Sequence, residues 1–502
     1  MKNFFKLMSV ALVVAMGAVM TSCSSSNGDS NPAVTNDPYV QNWQGKTAKY
    51  TIMFYGCGGG DVDAQLDGAI DYVKESLKVP QNQVRFVVMY SNSKDDSKLR
   101  DPQKPNDPVN LLYGKYGCTY RYELTPNINS QSYHYRCYYK PASEVELYRV
   151  ETIKEFINWA KQTAPAENYI LMPVNHGGGF DLDEETPTRA IAYDDNHGEK
   201  GVSTKAFAQA LAETGTHLKA IYWYGCLMGQ LEVMTEVAPY CDYQFCSSHV
   251  ARVNPRHVYA IVDAINSYPD NFEDAISCHL GIMTSPSGNL NYADFNFVEE
   301  FQNVEDEKTK EIKNENCDFG CWRSAGIAAI NAQVEKLVKV LTNGYADSGT
   351  RTKIDNATKG VYLFGDLYVY ADVLHYAQLV HSNLNTPETQ SIFEDLAKAI
   401  KAANVYHISG FHKTIQVGDV TYGQWPSYNG ADYYSLGISI YSKDHPIWTK
   451  YHDAYQASTF DKVTGWSKFI FMNTPTVSPT TNPANDSGVD EYWMDDEQEG
   501  DE

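Results

Sequence analysis

The sequence predicts an α/β fold with a mostly parallel central sheet covered by helices on both faces. Two observations support this prediction. Short apolar segments of strand length alternate with segments of helical spacing through the first half of the chain, which is typical of parallel sheets. Two apolar segments end in glycine-rich turns, GCGGGD after residue 55 and NHGGGF after residue 174, as strands do where they leave a sheet. The 502 residues, 43% of them hydrophobic, suffice for a large core.

The predicted elements follow one another in a regular order. They are a strand at 48–56, a helix at 64–77, a strand at 84–90, a tyrosine-rich polar insertion at 93–140, a helix at 144–162, a strand at 168–174, a polar loop at 180–203, a helix at 204–214, a strand at 221–224 and helical spacing at 227–233. The glycine run at 56–60 lacks the GxxxxGK[ST] and GxGxxG spacings of phosphate-binding loops. We therefore interpret it as a tight turn.

The N-terminus indicates export and lipid anchoring. MKNFFK is basic, LMSVALVVAMGAVM is apolar, and TSC closes the segment with Cys23; this pattern is like the cleavage site of bacterial lipoproteins. An ordinary cleaved signal peptide is the alternative. We expect a lipoprotein signal peptide at 1–22, a flexible tether at 23–47, a globular domain at 48–474 and a disordered acidic tail at 475–502. Lipid on Cys23 would hold the protein in the cell envelope, on the periplasmic or cell-surface side of a bacterial membrane.

Composition restricts the partners. The formal net charge is −23, with nine acidic residues between 486 and 502. Nucleic-acid binding requires a basic surface, so we expect no nucleic-acid partner. We expect a monomer.

Cysteine usage leaves an unpaired thiol. Without Cys23 the chain has nine cysteines, and in an oxidising compartment an odd number leaves at least one unpaired if the others form disulfides. Cys118 and Cys137 could form a bridge, and Cys317 and Cys321 are spaced either for a local bridge or for a helical i, i+4 pair. The chain has no CxxC pair, so we expect no structural zinc site. We expect no cofactor, with calcium, discussed below, as the alternative.

A histidine and a cysteine, side chains that can act as a base and a nucleophile, each follow a predicted strand. His176 comes directly after the strand at 168–174, and Cys226 lies 50 residues later, after the strand at 221–224. Neighbouring parallel strands would bring these ends side by side, where open α/β sheets bind ligands. An imidazole beside a thiol is the minimum for acyl transfer. A buried structural cysteine and an ordinary glycine turn are the alternatives.

The blocks NHGGGF and GCLMGQLEV resemble the two signature blocks of the clostripain family of cysteine peptidases, which are relatives of caspases, gingipains and legumains. TIMFYG, FINWAKQTAPAENYILMPVNHGGGF, IAYDD to ALAET, LEVMTEVAPYCDYQF, LGISIYSKDHP and AYQASTFDKVTGWSKF extend the resemblance over about 48–471. It implies a caspase-like α/β/α sandwich with C-terminal additions, so that 48–474 is a peptidase domain acting on protein or peptide substrates.

The resemblance also implies site roles. His176 is then the general base and Cys226 the nucleophile of a dyad, with Gly177 and Cys226 supplying the oxyanion hole. Some relatives use calcium, and the acidic segment Asp181 to Glu185 is a candidate for it; a solvated loop is the alternative. Some are activated by a cut in the segment corresponding to 180–203, where Arg189 and Lys200 are the basic residues.

The chain departs from the family at the substrate pocket. The family commonly has an acidic residue two positions before the nucleophile, where this chain has Tyr224. It also commonly has S-E-E after the next strand, where this chain has Ser247, Ser248 and His249. A basic P1 side chain needs a counter-charge when it is buried. These residues therefore predict a P1 preference that is not basic.

Two other functions remain open from sequence. A lipoprotein that keeps this fold without turnover would act as a surface binding protein, and Tyr224 with Ser248 and His249 is consistent with it. A glycan-binding lipoprotein would use the many aromatic residues, of which 37 are tyrosine. Intact His176, Gly177 and Cys226 favour the enzyme.

Overall fold

The α/β fold predicted from sequence is confirmed. The computed structural model describes residues 37–60, 62–93, 117–128, 138–180, 191–198, 200–248, 255–284, 304–305, 312–313, 318–361, 363–364, 370–409, 415–417, 420–422, 436–440 and 452–472. The strands are β1 Ala48–Cys57, β2 Val84–Ser91, β3 Cys118–Leu124, β4 Tyr138–Pro141, β5 Ala166–Val174, β6 Ile191–Asp194, β7 Lys200–Val202, β8 Leu218–Tyr222, β9 Cys241–Cys246, β10 Val304–Glu305, β11 Ile312–Lys313, β12 Asp318–Arg323, β13 Leu363–Phe364, β14 Tyr370–Asp372, β15 Asn404–Ser409, β16 Ile415–Val417, β17 Val420–Tyr422 and β18 Gly437–Ser439.

The α-helices flank these strands. They are α1 Pro38–Trp43, α2 Asp63–Ser76, α3 Val150–Thr163, α4 Thr204–Thr214, α5 Leu231–Val237, α6 Pro255–Ser267, α7 Phe272–Thr284, α8 Ser324–Gly344, α9 Ser348–Lys359, α10 Val373–Leu384, α11 Pro387–Ala403, α12 Thr459–Thr464 and α13 Ser467–Ile470.

One large sheet organises the molecule. Nine of the described strands lie in the order β15-β12-β9-β8-β5-β1-β2-β3-β4. The five central strands, β9, β8, β5, β1 and β2, pair in parallel, and antiparallel strands close both edges. The carboxyl ends of the parallel strands therefore share one edge of the sheet, where ligand sites form in such folds.

The sheet is buried on both faces, as its nearly continuous apolar strands require. Alternate residues of β1 enter different cores: Met53 and Tyr55 pack in one, Ile52 and Phe54 in the other. Helices α3, α4 and α5 cover the first face, and α2, α6 and α7 cover the second. The C-terminal additions, including α8, α10 and α11, extend the first core, and β12 and β15 extend the sheet.

Three elements begin three or more residues away from their predicted starts. The strand predicted at 221–224 is β8, Leu218–Tyr222, and the helix predicted at 227–233 is α5, Leu231–Val237. The helix starts late because Gln230 has extended backbone, with φ −85° and ψ 137°. The helix predicted from 144 begins at Val150 after a short 3₁₀ turn, Ala142–Glu144.

The segment predicted as a flexible tether contains packed structure at its end. The Asp37 carboxylate caps α1 by accepting the Tyr39 N–H at 2.7 Å, and it also accepts hydrogen bonds from Thr125 at 2.7 Å and Asn127 at 2.9 Å. Asp37 and α1 thus pack against the folded domain, within the segment 23–47 that was expected to be a tether. The predicted signal peptide, Cys23 and the predicted acidic tail lie outside the described residues, as do Cys137 and Cys317 of the two suggested bridges. Among the described helices, none has the length and apolar character needed to cross a bilayer.

Candidate active site

The two predicted catalytic residues follow neighbouring strands at equal offsets. Val174, at the end of β5, forms a parallel bridge with Tyr224, just beyond β8. The Tyr224 N–H donates to the Pro173 carbonyl at 3.0 Å, and the Asn175 N–H donates to the Tyr224 carbonyl at 3.3 Å. His176 and Cys226 each lie two residues past this bridge. We call residues 175–180 the histidine loop and residues 223–230 the cysteine loop.

The two loops touch through their backbones. A Cβ atom at Gly177 would overlap the Cys226 carbonyl oxygen and lie 2.9 Å from the Cys226 amide nitrogen. A Cβ atom at Gly225 would lie 2.8 Å from the Asn175 carbonyl oxygen and 3.2 Å from the Gly177 nitrogen. Real Cβ contacts this short require something to move, so glycine is needed at both positions. The structure therefore places Gly177 directly against the backbone of Cys226.

Asn175 braces the histidine loop, a role that the sequence analysis missed. Its side chain is 2% exposed; the amide nitrogen donates to the Cys57 carbonyl, and the amide oxygen accepts the His176 N–H. This ties His176 to the end of β1. A polar residue closing an apolar strand, directly before a histidine, is the signal that would have found it.

The cysteine loop makes a sharp turn after the thiol. Leu227 has φ +60°, the left-handed region that side chains rarely adopt. The Gly229 N–H donates to the Ser247 carbonyl at 2.6 Å, and the Ser248 hydroxyl donates to the Gly229 carbonyl at 3.1 Å. The predicted pocket residues Ser247 and Ser248 therefore lie against this loop. His249 lies outside the described residues.

Cys226 differs from most other described cysteines in its exposure. Its side chain is partly exposed, as is His176, whereas Cys57, Cys241 and Cys321 are buried. Burial raises the pKa of these three thiols above the ordinary value, which keeps them protonated and unreactive. Cys278, on α7, is the other partly exposed cysteine of the described residues.

Tyr224 is buried in the core under α6. It is 2% exposed, and its ring packs edge-on against Tyr222 at 6.2 Å and His257 at 6.1 Å between centroids. Burial lowers the pKa of His257 well below 6.5, and nearby His279 contributes; burial alone lowers the pKa of His279 to about 3. Both histidines are therefore neutral near neutral pH. From Ser247 to His257 the sequence contains no acidic residue.

The other candidate positions can be placed only in part. Asp181 to Glu185 and Arg189 lie outside the described residues. Lys200 lies on β7, paired with Asp194 of β6, and its ammonium is 5.3 Å from the Tyr148 ring centroid. The described ranges contain no group of three or more His, Cys, Asp or Glu side chains arranged to hold a metal ion.

Comparison with known proteins agrees with the fold and with the family resemblance. A model of the clostripain family matches residues 130–477. Clostripain of Hathewaya histolytica is 26% identical over 213 residues, which are 39% of this chain and 37% of that protein. The chain thus spans well under half the length of this relative.

Two solved structures share the fold at low identity. A secreted C11 cysteine protease from Bacteroides thetaiotaomicron, in complex with an irreversible peptide inhibitor, has a TM-score of 0.56 at 14% identity, covering 84% of this chain and 99% of that chain. An inactive zymogen C11 protease from Parabacteroides distasonis has a TM-score of 0.52 at 15% identity, with the same coverage.

Proposed function

This chain belongs to the clostripain family of cysteine peptidases, and on that premise we propose that it is a cysteine endopeptidase with His176 and Cys226 as its catalytic dyad. One observation supports the assignment of these two residues above the others. Gly177, next to His176, packs on the backbone of Cys226 so closely that no side chain fits between them. The base and the nucleophile thus lie on two loops in direct contact, at the sheet edge where such folds bind ligands.

The proposed reaction is acyl transfer through a thioester. The His176 imidazole accepts the Cys226 thiol proton, and the thiolate attacks the carbonyl carbon of the scissile peptide bond. The backbone N–H groups of Gly177 and Cys226 stabilise the oxyanion. The intermediate then breaks the C–N bond, and the His176 imidazolium donates its proton to the leaving amine. Water, deprotonated by His176, hydrolyses the thioester and restores the thiol. These steps need no metal, and assays with a calcium chelator and with added calcium test the calcium alternative.

We propose that the P1 side chain is uncharged or apolar. Tyr224 stands where relatives have an acid, and a phenol carries no charge near neutral pH. The two serines beside the cysteine loop, Ser247 and Ser248, are likewise neutral and buried. A lysine or arginine side chain would therefore lose its hydration without gaining an ion pair.

The same argument applies to activation by self-cleavage. One solved relative is an inactive zymogen, but we propose that this enzyme does not cut itself efficiently at Arg189 or Lys200, because its pocket lacks the acid. Lys200 is also paired in a two-stranded ribbon with β6, whereas a protease needs the scissile segment as a free extended strand.

We propose a lipid anchor at Cys23, with the protein acting as a monomer in the cell envelope. The Tyr39 hydroxyl donates to the Val84 carbonyl at 3.1 Å, which places α1 at the amino end of β2. The catalytic residues follow the carboxyl ends of β5 and β8. Helix α1 and the proposed active site therefore lie at opposite edges of the sheet, which supports an orientation in which the site faces away from the membrane.

Peptide-library cleavage tests the proposal. Wild-type protein should hydrolyse peptides, while Cys226→Ala and His176→Ala should each lose several orders of magnitude in kcat, because members of a dyad act as a unit. Cys278→Ala, which removes another partly exposed thiol, is the matched control and should keep wild-type activity. Hydrolysis by Cys226→Ala at a rate close to wild type would refute the assignment. Peptide binding without turnover by the wild type would instead support the binding-protein alternative.

A further inference from the structure

A small sheet from the C-terminal part of the chain contacts both catalytic loops. It consists of β13, β14 and β18, and we call it the clamp sheet. Tyr370 of β14 pairs with Ser439 of β18. Loops that bind to these two strands are therefore held at a fixed distance and orientation relative to each other. One strand contacts the histidine loop, and the other contacts the cysteine loop and the start of α5.

Tyr370 fixes the histidine loop. Its buried hydroxyl accepts the Phe180 N–H at 3.0 Å and donates to the Gly178 carbonyl at 3.1 Å. Between these two residues, Gly179 has φ +81°, and a Cβ atom there would lie 2.6 Å from the Tyr370 hydroxyl oxygen. The loop backbone therefore wraps closely around one phenol.

The neighbouring strand fixes the cysteine loop. The Gly437 N–H donates to the Gly229 carbonyl at 3.0 Å, and Gly437 forms a parallel bridge with Gln230. Glu232, the second residue of α5, is fully buried, and its Oε1 accepts the Ser439 N–H at 2.9 Å. The segment after Cys226 is thus joined to β18 at two successive points.

Tyr455 forms a second link between the histidine loop and the start of α5. Its hydroxyl donates to Glu232 Oε1 at 2.8 Å. Its ring packs edge-on against Phe180, with centroids 5.6 Å apart and planes at 89°. A path of direct contacts therefore runs from the histidine loop through Tyr455 to Glu232, independent of the path through the clamp sheet.

We propose that Tyr370 and Glu232 are positioning residues, which hold the histidine and cysteine loops in the mutual geometry that the dyad needs. His176 and Cys226 both lie on loops beyond the last regular residue of their strands, where the sheet no longer fixes the side chains. Displacements of about 1 Å at such sites lower rates by about 10²-fold, and the supporting contacts decide whether a site is that well held. This inference rests on the proposed dyad.

Removal of one hydroxyl tests the histidine-loop side. Tyr370→Phe should lower kcat by about 10- to 100-fold. KM should stay within about threefold of the wild-type value, because the proposal gives the Tyr370 hydroxyl no contact with the substrate. The pH midpoint of Cys226 alkylation should also move up toward the ordinary thiol value of about 8.5. Tyr376→Phe is the matched control: Tyr376 is also fully buried, and its hydroxyl bonds to Thr358 at 3.0 Å. It should leave both readouts unchanged.

Two variants of Glu232 test the cysteine-loop side. They also test the proposed positioning role if Tyr370→Phe does not fold. Glu232→Gln keeps an oxygen acceptor for Ser439 and Tyr455, so kcat should stay within about threefold of wild type. Glu232→Met removes the acceptor and should lower kcat at least about 10-fold, with the same alkylation shift. Wild-type kcat and alkylation in Tyr370→Phe or in Glu232→Met would overturn the proposal, as would an equal loss in Tyr376→Phe. Cys226→Ala in the same assay separates the two claims, because activity in that variant would refute the dyad itself.

Discussion

Tyr224 and His257 pack edge to face with their ring centroids 6.1 Å apart and their planes at 66°, and both side chains are buried. Position 224, where the family resemblance led us to expect an acid, is therefore part of an aromatic core. His257 is neutral there, because burial lowers its pKa. A carboxylate at 224 would have to be buried in these surroundings.

We expect Tyr224→Asp to raise cleavage after Arg or Lys relative to apolar P1 residues, because it restores the missing negative charge. It should also lower the free energy of unfolding by about 3–5 kcal/mol, the range for removing a large buried ring. Matched peptide substrates and urea denaturation measure the two effects. Tyr224→Phe, which keeps the ring, is the control for packing. A wild-type enzyme that already cleaves Arg substrates best would contradict the proposed pocket.

The buried histidines predict a loss of stability in mild acid. The folded-state pKa of His257 and His279 lies below the unfolded value of about 6.5, so their full stability is present above pH 6.5 and is lost as the pH falls through this value. Between pH 7.5 and 5.5 each should lower the free energy of unfolding by about 1.4 kcal/mol.

Chemical denaturation at the two pH values measures this loss. His279→Gln should remove about half of this loss, because one of the two buried imidazoles is then absent. An unchanged pH dependence in His279→Gln would show that His279 is not the source.

Gly177→Ala should lower kcat by at least about 10²-fold, because the new methyl group overlaps the Cys226 carbonyl oxygen and separates the two loops. Gly281→Ala is the control, since a Cβ atom there meets nothing closer than the Tyr406 hydroxyl at 3.9 Å. In a helix that change should be neutral or slightly stabilising. Steady-state kinetics on both variants provides the comparison. Normal turnover by Gly177→Ala would mean that the loops do not need this contact.

Cys23→Ser should release the protein from membranes if Cys23 carries the lipid, because a lipid anchor supplies the binding energy. Fractionation of bacterial cells after a high-salt wash measures the release. Retention of the variant in the membrane fraction would show that something other than Cys23 holds the protein.

Sequence reasoning located the parallel sheet because buried strands such as 48–56 are continuous apolar runs bounded by glycine turns, a local signal. It also placed His176 and Cys226 after two strands that do pair. It put the helix after Cys226 four residues too early, because Leu227 and Gln230 have non-helical backbone. Gly229, between them, instead forms hydrogen bonds with Ser247, Ser248 and Gly437. Those partners lie far along the chain, and local spacing does not report them.

The residues that support the histidine loop could not be found from sequence, because they too lie far from it along the chain. Tyr370 and Tyr455 contact the histidine loop from about 190 and 275 residues away in sequence, and nothing in their surrounding residues marks them. Tyr224 was assigned to the substrate pocket from its position two residues before Cys226, but its burial against α6 depends on tertiary packing, which the sequence does not show.

The most direct test of the central claim is the alkylation of Cys226 by iodoacetamide in the folded protein near neutral pH, followed by mass spectrometry of each cysteine peptide. A thiol paired with an imidazole has an enlarged thiolate fraction. We predict that Cys226 reacts at least about 10-fold faster than Cys278 and that His176→Ala removes this advantage. Equal rates at the two cysteines in wild-type protein, or an unchanged Cys226 rate in His176→Ala, would contradict the dyad.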